Sequence, residues 1–231
     1  MDWRRTTYFL IGLIIGAIFH EYMHGKIADL RGDPTARNAG RLTLNPIAHV
    51  DPIGTLLMPI LLLVLSGGRF AFAYAKPVPV NPFFLRKPRR DMMLIALSGP
   101  LTNFAIALFI SLLALLLRVV FNLSFYAPQG VANISGSGGW VNLFELLFYI
   151  AVINVVLGFF NLIPVPPLDG SHVLSYFLPP DARRAYNQIS RYGFLIIILF
   201  IYLLGGVFFS WMNPIFSLIE RVIFGPVSFA L

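Results

Sequence analysis

Two stretches of this chain are too apolar, over too great a length, to suit the interior of a small soluble domain. Leu101 to Leu117 carries only a few small polar residues, and Phe194 to Trp211 carries no charge. Apolar runs of about 17 residues or more match the hydrocarbon core of a bilayer. In lipid each backbone N–H and C=O must find its partner within the segment, which selects helices. Composition agrees: the chain is 58% hydrophobic and 12% charged, about half the charge of an ordinary soluble domain. The net charge of +7 sits mostly in the connecting segments. There it reads as topology and anionic-lipid contact, not as a nucleic-acid footprint. The absence of cysteine excludes disulfides and thiolate metal ligands. No Gly-rich phosphate loop, internal repeat or low-complexity tract stands out.

The pattern predicts an all-α polytopic membrane protein, a bundle of about five to six spans forming a single domain over residues 1–231. The first helix covers about 6–30, with Gly12 and Gly16 four apart so that a neighbour can approach closely. Arg4 and Arg5 before an apolar stretch imitate a signal peptide. No small-x-small cleavage site follows, so the segment reads as a retained span. Residues 31–50 read as a polar loop and 53–66 as a short helix. In FAFAYAKPVPV, aromatic residues alternate with alanines and prolines follow at 77 and 79. That pattern predicts extended chain at an edge. Helices are expected over 91–120 and 141–163, with a short one to Leu178. Further spans are expected over 188–210 and 212–224.

Basic residues orient the bundle. Residues 119–140 hold no Lys or Arg, whereas 69–90 hold six, 26–50 hold four and 180–191 hold three. Positive loops favour the cytoplasm, so 121–140 is expected outside and the other three inside. Both 26–50 and 69–90 can be inside only if 53–66 does not cross alone. A helix of about 14 residues reaches about 21 Å, short of a core of about 30 Å. The sequence therefore predicts a re-entrant helix and β-hairpin element near 53–82. Arg4 and Arg5 then lie outside, against the positive-inside rule.

HEYMHG is where the chemistry concentrates. On a helix, residues i and i+4 share a face, so His20 and His24 can hold one ion with Glu21 beside them as general base. Imidazole without thiolate favours Zn²⁺. Ionisable groups inside a span are costly and mark function. A catalytic zinc needs a third protein ligand and an open position. The residues leave that ligand open among Asp51, Glu145, Asp169, Glu220, His49 and His172. Asp169 stands out in NLIPVPPLDG, where prolines stop a helix and irregular backbone can line a cavity. It could equally cap the helix that follows.

HEYMHG, NPIAHVDPIGTLL, AKPVPVN, SGPLTN and NLIPVPPLDG occur in this order. Over about residues 8–180 the chain resembles the site-2 protease family of intramembrane zinc metalloproteases, peptidase family M50. The resemblance is to its small members without PDZ or CBS domains. It implies one Zn²⁺ per chain held by His20, His24 and Asp169, with Glu21 activating water and Asn161 steadying the scissile carbonyl. The catalytic core would be about 6–178, followed by additional spans to 224. Substrates would be membrane proteins or membrane-anchored peptides, cleaved in or near the bilayer of the cell membrane. An extended 70–80 segment would pair by backbone with unwound substrate. The competing readings are a CAAX-type membrane zinc protease, which would take a glutamate such as Glu145 or Glu220, and a membrane scaffold or transporter with a relic site.

Depth ties the two halves of HEYMHG's helix together. From Tyr8 to Phe19 a helix descends about 18 Å. That places the ligands about 12 Å from the far face of a core about 30 Å thick. Asp169, just past the inner end of span 141–163, is expected at a similar depth on the cytoplasmic side.

Overall fold

The structure, a computed structural model, describes residues 3–49, 76–123 and 138–225. Its helices are α1 (Trp3–Leu30), α2 (Thr35–Asn38), α3 (Pro88–Val120), α4 (Gly138–Asn161), α5 (Asp169–Phe177), α6 (Pro180–Ile189) and α7 (Gly193–Phe224). Four of these, α1, α3, α4 and α7, are long and apolar enough to cross a membrane. There is no strand among the described residues. The expected helix at 53–66, the FAFAYA half of the extended segment and Asp51 lie outside the described residues.

The chain divides into two compact units, residues 1–16 with 100–231, and residues 17–99. In the first, α4 is central. Its Phe144, Leu147, Ala151 and Val155 form a core with Ala107 and Ala114 of α3 and with Met212, Ile219, Ile223 and Phe224 of α7. The expected close approach along α1 is present. A Cβ on Gly12 would lie 2.9 Å from Ile153 Cδ1, and one on Gly16 would lie 2.6 Å from Leu157 Cδ1. Small residues at such contacts let helix backbones pack where lipid supplies no hydrophobic drive. Polar groups stitch α1, α3 and α4 together. Asn103 Nδ2 donates to Gly16 O at 3.1 Å and to Asn154 Oδ1 at 2.9 Å, and both asparagines are fully buried. Asn103 of SGPLTN thus lies in mid-helix and binds helix to helix.

Two expectations for the C-terminal part change. The segments expected as separate spans at 188–210 and 212–224 form one helix, α7, with Pro214 inside it. A proline removes one helical hydrogen bond, but ending the helix in lipid would strand several more backbone groups. Residues 180–189, expected as loop, form the amphipathic helix α6, opened by Pro180 at its first turn, where a missing N–H costs nothing.

In the second unit α1 ends at Leu30. Gly32 adopts φ +108, and the Asp33 N–H donates to Ala28 O at 3.0 Å. This is the left-handed turn that satisfies the last carbonyls of a helix. Ala28, Leu85 and Ile95 form the small core of this unit. Lys76–Asn81 runs as a strap of no regular secondary structure, and a 3₁₀ turn, Pro82–Phe84, leads it into α3. At the start of α3, Asp91 accepts the Lys87 N–H at 2.8 Å and stands 3.9 Å from Arg31 Nε.

Candidate metal centre

His20 and His24 are one turn apart on α1, and both are buried. Their rings meet edge to face, with centroids 4.5 Å apart and planes at 89°. The neighbouring backbone is that of α3. A Cβ on Gly99 would lie 2.6 Å from His20 Nε2 and 2.6 Å from His24 Cε1. Only glycine lets α3 pass this close to both imidazoles.

The ring of His24 is held by the same helix. Its Nδ1 lies 2.7 Å from the carbonyl oxygen of Ile95. A carbonyl can only accept, so Nδ1 carries the proton and Nε2 keeps its lone pair. Metal-bound histidines are oriented in this way, by a hydrogen bond from the nitrogen that does not face the ion. Ser98 Oγ donates to the same Ile95 carbonyl at 2.6 Å and stands 3.4 Å from His24 Nδ1. Glu21, between the histidines in sequence, points its carboxylate at the strap: Oε2 accepts the Val78 N–H at 2.8 Å.

Asp169 opens α5, directly after the turn 162–168. Leu168 is the N-cap residue and supplies no side-chain cap, so Asp169 is the first helical residue and not the cap. The turn is tight. A Cβ on Gly170 would lie 2.2 Å from Leu162 O, and one on Gly193 would lie 2.0 Å from Pro166 O. Tyr186 of α6 donates its hydroxyl to Pro164 O at 2.9 Å. The glycine of LDG is therefore the residue that lets Asp169 sit against the turn preceding it.

His20, His24 and Asp169 form a group that could hold a metal ion. Two imidazoles and one carboxylate, with no thiolate, are a zinc donor set with a coordination position to spare. The carbonyl behind His24 and the missing side chain at Gly99 fit the same purpose. Other candidates for the third ligand have different partners. Glu145 Oε2 lies 3.3 Å from Arg4 Nη2, with Arg4 Nη1 also donating to Asn142 Oδ1 at 2.8 Å. His49 is buried, with Nε2 2.8 Å from Thr43 O. Glu220 and His172 do not belong to the group of three. Asn161 ends α4 and donates through Nδ2 to Leu157 O at 3.0 Å, and an amide nitrogen has a second N–H to give. Sequence reasoning missed the Ile95 carbonyl and the Val78 N–H, since backbone groups leave no mark on residue type. The one visible signal for the helix behind the histidines was the small pair Ser98-Gly99.

A helix long and apolar enough to cross a membrane carries His-Glu-x-x-His, and with Asp169 its two histidines could hold a metal ion; that combination points to the class of membrane-embedded metalloproteases. Residues 8–204 match peptidase family M50, and the chain belongs to that family. It is 37% identical to YwhC of Bacillus subtilis (strain 168) over 86% of this chain and 82% of that protein. It is 29% identical to Rip2 of Mycolicibacterium smegmatis over 82% of this chain and 64% of that protein. To Rip2 of Mycobacterium tuberculosis (strain H37Rv) it is 29% identical over 90% and 73%. All three are named as candidate zinc metalloproteases. No solved structure matches the chain. The protein is thus an intramembrane zinc metalloprotease.

Proposed function

We propose that His20, His24 and Asp169 bind one Zn²⁺ and that Glu21 is the general base of an endopeptidase acting on membrane proteins or membrane-anchored peptides. The observation that carries this reading is the commitment of His24 Nδ1 to Ile95 O, which leaves Nε2 as the ligand atom. Bound zinc supplies a water whose pKa falls towards about 7 and a Lewis acid for the scissile carbonyl. Glu21 takes the proton of the attacking water and returns it to the leaving amine. Asn161, through the N–H that Leu157 does not use, faces the developing oxyanion.

The two units act as one protease domain, with its catalytic core over about 6–178. Residues 53–82 re-enter the membrane and bring the count of membrane elements to five. The site opens towards the cytoplasm, as the basic loops at 26–50, 69–90 and 180–191 favour. A helical substrate hides its peptide bonds, so it unwinds before cleavage, and helix-breaking residues in it speed the reaction. The test is zinc stoichiometry together with cleavage of a model transmembrane substrate by wild type and Glu21→Gln. The expected result is one zinc in both and cleavage only in the wild type. Cleavage by the amide variant would remove Glu21 as base.

A further inference from the structure

The 70–80 segment was expected to offer its backbone to substrate, yet nearly all backbone donors of the described strap, Lys76–Asn81, turn inward. The Val78 N–H donates to Glu21 Oε2 at 2.8 Å. The Lys76 N–H donates to His49 O at 2.9 Å, and the Asn81 N–H donates to Asp33 Oδ2 at 2.6 Å. Pro77 and Pro79 have no N–H. Of the strap's backbone donors, Val80 alone has no partner among the described residues.

The two ends of the strap are fixed by buried side chains. At one end Arg41 Nη2 donates to Lys76 O at 2.6 Å. At the other, Asp33 is fully buried. Its Oδ1 accepts the Thr35 N–H at 3.0 Å and the Thr35 hydroxyl, while Oδ2 takes Asn81. Between these pins Val78 packs on the helix that carries Glu21: a Cβ on Gly25 would lie 3.0 Å from Val78 Cγ1. A carboxylate on a helix ordinarily samples several rotamers. Here one oxygen is tied to a backbone amide that is itself immobilised on both sides, which assigns the proton to Oε1.

We propose that the strap is a positioning device for the base: Val78 holds the Glu21 carboxylate through its N–H, and Asp33 and Arg41 hold Val78 in place. This rests on Glu21 being the base. None of these three residues touches the reacting atoms, so all act through Glu21. A misplacement of about 1 Å at a reacting group can cost about a hundredfold in rate.

The test uses the full chain in phosphatidylcholine and phosphatidylglycerol vesicles with a model transmembrane substrate, measuring kcat, KM and bound zinc. Val78→Pro removes the N–H and should lower kcat about ten- to a hundredfold, with KM and zinc content kept. Val78→Ala keeps the N–H and should retain most of kcat. Asp33→Ala should follow Val78→Pro. If Val78→Pro does not fold, an ester in place of the Val78 amide removes the same hydrogen and should give the same loss. Full kcat in the proline or ester variant would overturn the proposal, as would an equal loss in Val78→Ala. Glu21→Gln run beside them separates the two readings. If it is inactive while the ester variant is normal, only the strap fails; if it is active, the base assignment itself fails.

Discussion

Nδ1 of His24 and the carbonyl oxygen of Ile95 are 2.7 Å apart, and Ser98 Oγ donates to that carbonyl as well. The ring orientation of a ligand on α1 is therefore set by the first turns of α3. Partners of this kind are worth about 10- to 100-fold in metal affinity. Ser98→Ala leaves the carbonyl but loosens it, so zinc affinity should fall by about tenfold. Competition against a chelator of known affinity measures it, and unchanged affinity would show that Ile95 needs no support.

Gly99 should be intolerant of any side chain. Its Cβ would stand 2.6 Å from atoms of both imidazoles, and overpacking of this kind costs about 1–3 kcal/mol. Gly99→Ala should lose zinc and cleavage together while the protein remains folded in detergent. Full zinc occupancy in Gly99→Ala would show that α3 can move aside at this point.

Arg4 and Glu145 should behave as a coupled pair. The Glu145 side chain is only 3% exposed, and removing one partner of a buried pair costs about 3–5 kcal/mol. The Arg4 side chain is 36% exposed, so water offsets part of the loss and Arg4→Ala is expected below that range, at about 1–2 kcal/mol. Adding Glu145→Gln to it should recover most of the loss, because the uncompensated charge is gone. Thermal unfolding in detergent reads both. An additive double variant would mean the two residues do not interact.

The topology has a direct test. Ala39 is exposed, and the chain has no other cysteine to interfere. A cysteine at position 39 should label from the cytoplasmic side only. Labelling from outside would place residues 31–49 on the outer side and dismiss the re-entrant reading of 53–66.

Substrate pairing and base positioning can be told apart at Val80. Its N–H is the donor left over on the strap among the described residues. If an unwound substrate pairs there, Val80→Pro should raise KM severalfold at constant kcat, the reverse of the split expected at Val78. An unchanged KM would place substrate pairing elsewhere.

The long helices were legible because lipid imposes one rule on long apolar runs, and α1, α3 and α4 follow it closely. The close packing of α1 could be anticipated from Gly12 and Gly16, since only the absence of side chains was needed. The continuity of α7 was hidden by Pro214, whose breaking tendency belongs to water more than to lipid. The amphipathic α6 was hidden by its basic residues, which read as loop. At the site, His20, Glu21 and His24 are set by spacing within one helix. Asp169 required the LDG setting, because residue type alone left five rivals. Arg4 lies on the side that the positive-inside rule disfavours in the expected topology. Its partner Glu145 is 141 positions along the chain, a long-range pairing that no local pattern encodes.

The group that steadies Glu21 is a main-chain amide, not a side chain. Every residue except proline supplies one, so replacing Val78 by almost anything leaves the contact in place. An alanine scan of the strap would pass over the interaction, and drift at this position among relatives would say nothing about whether it persists. What can change is the path of the chain on either side, and there the prolines at 77 and 79 already narrow the choice. The support for the base is thus written into backbone geometry, where substitution rarely reaches it.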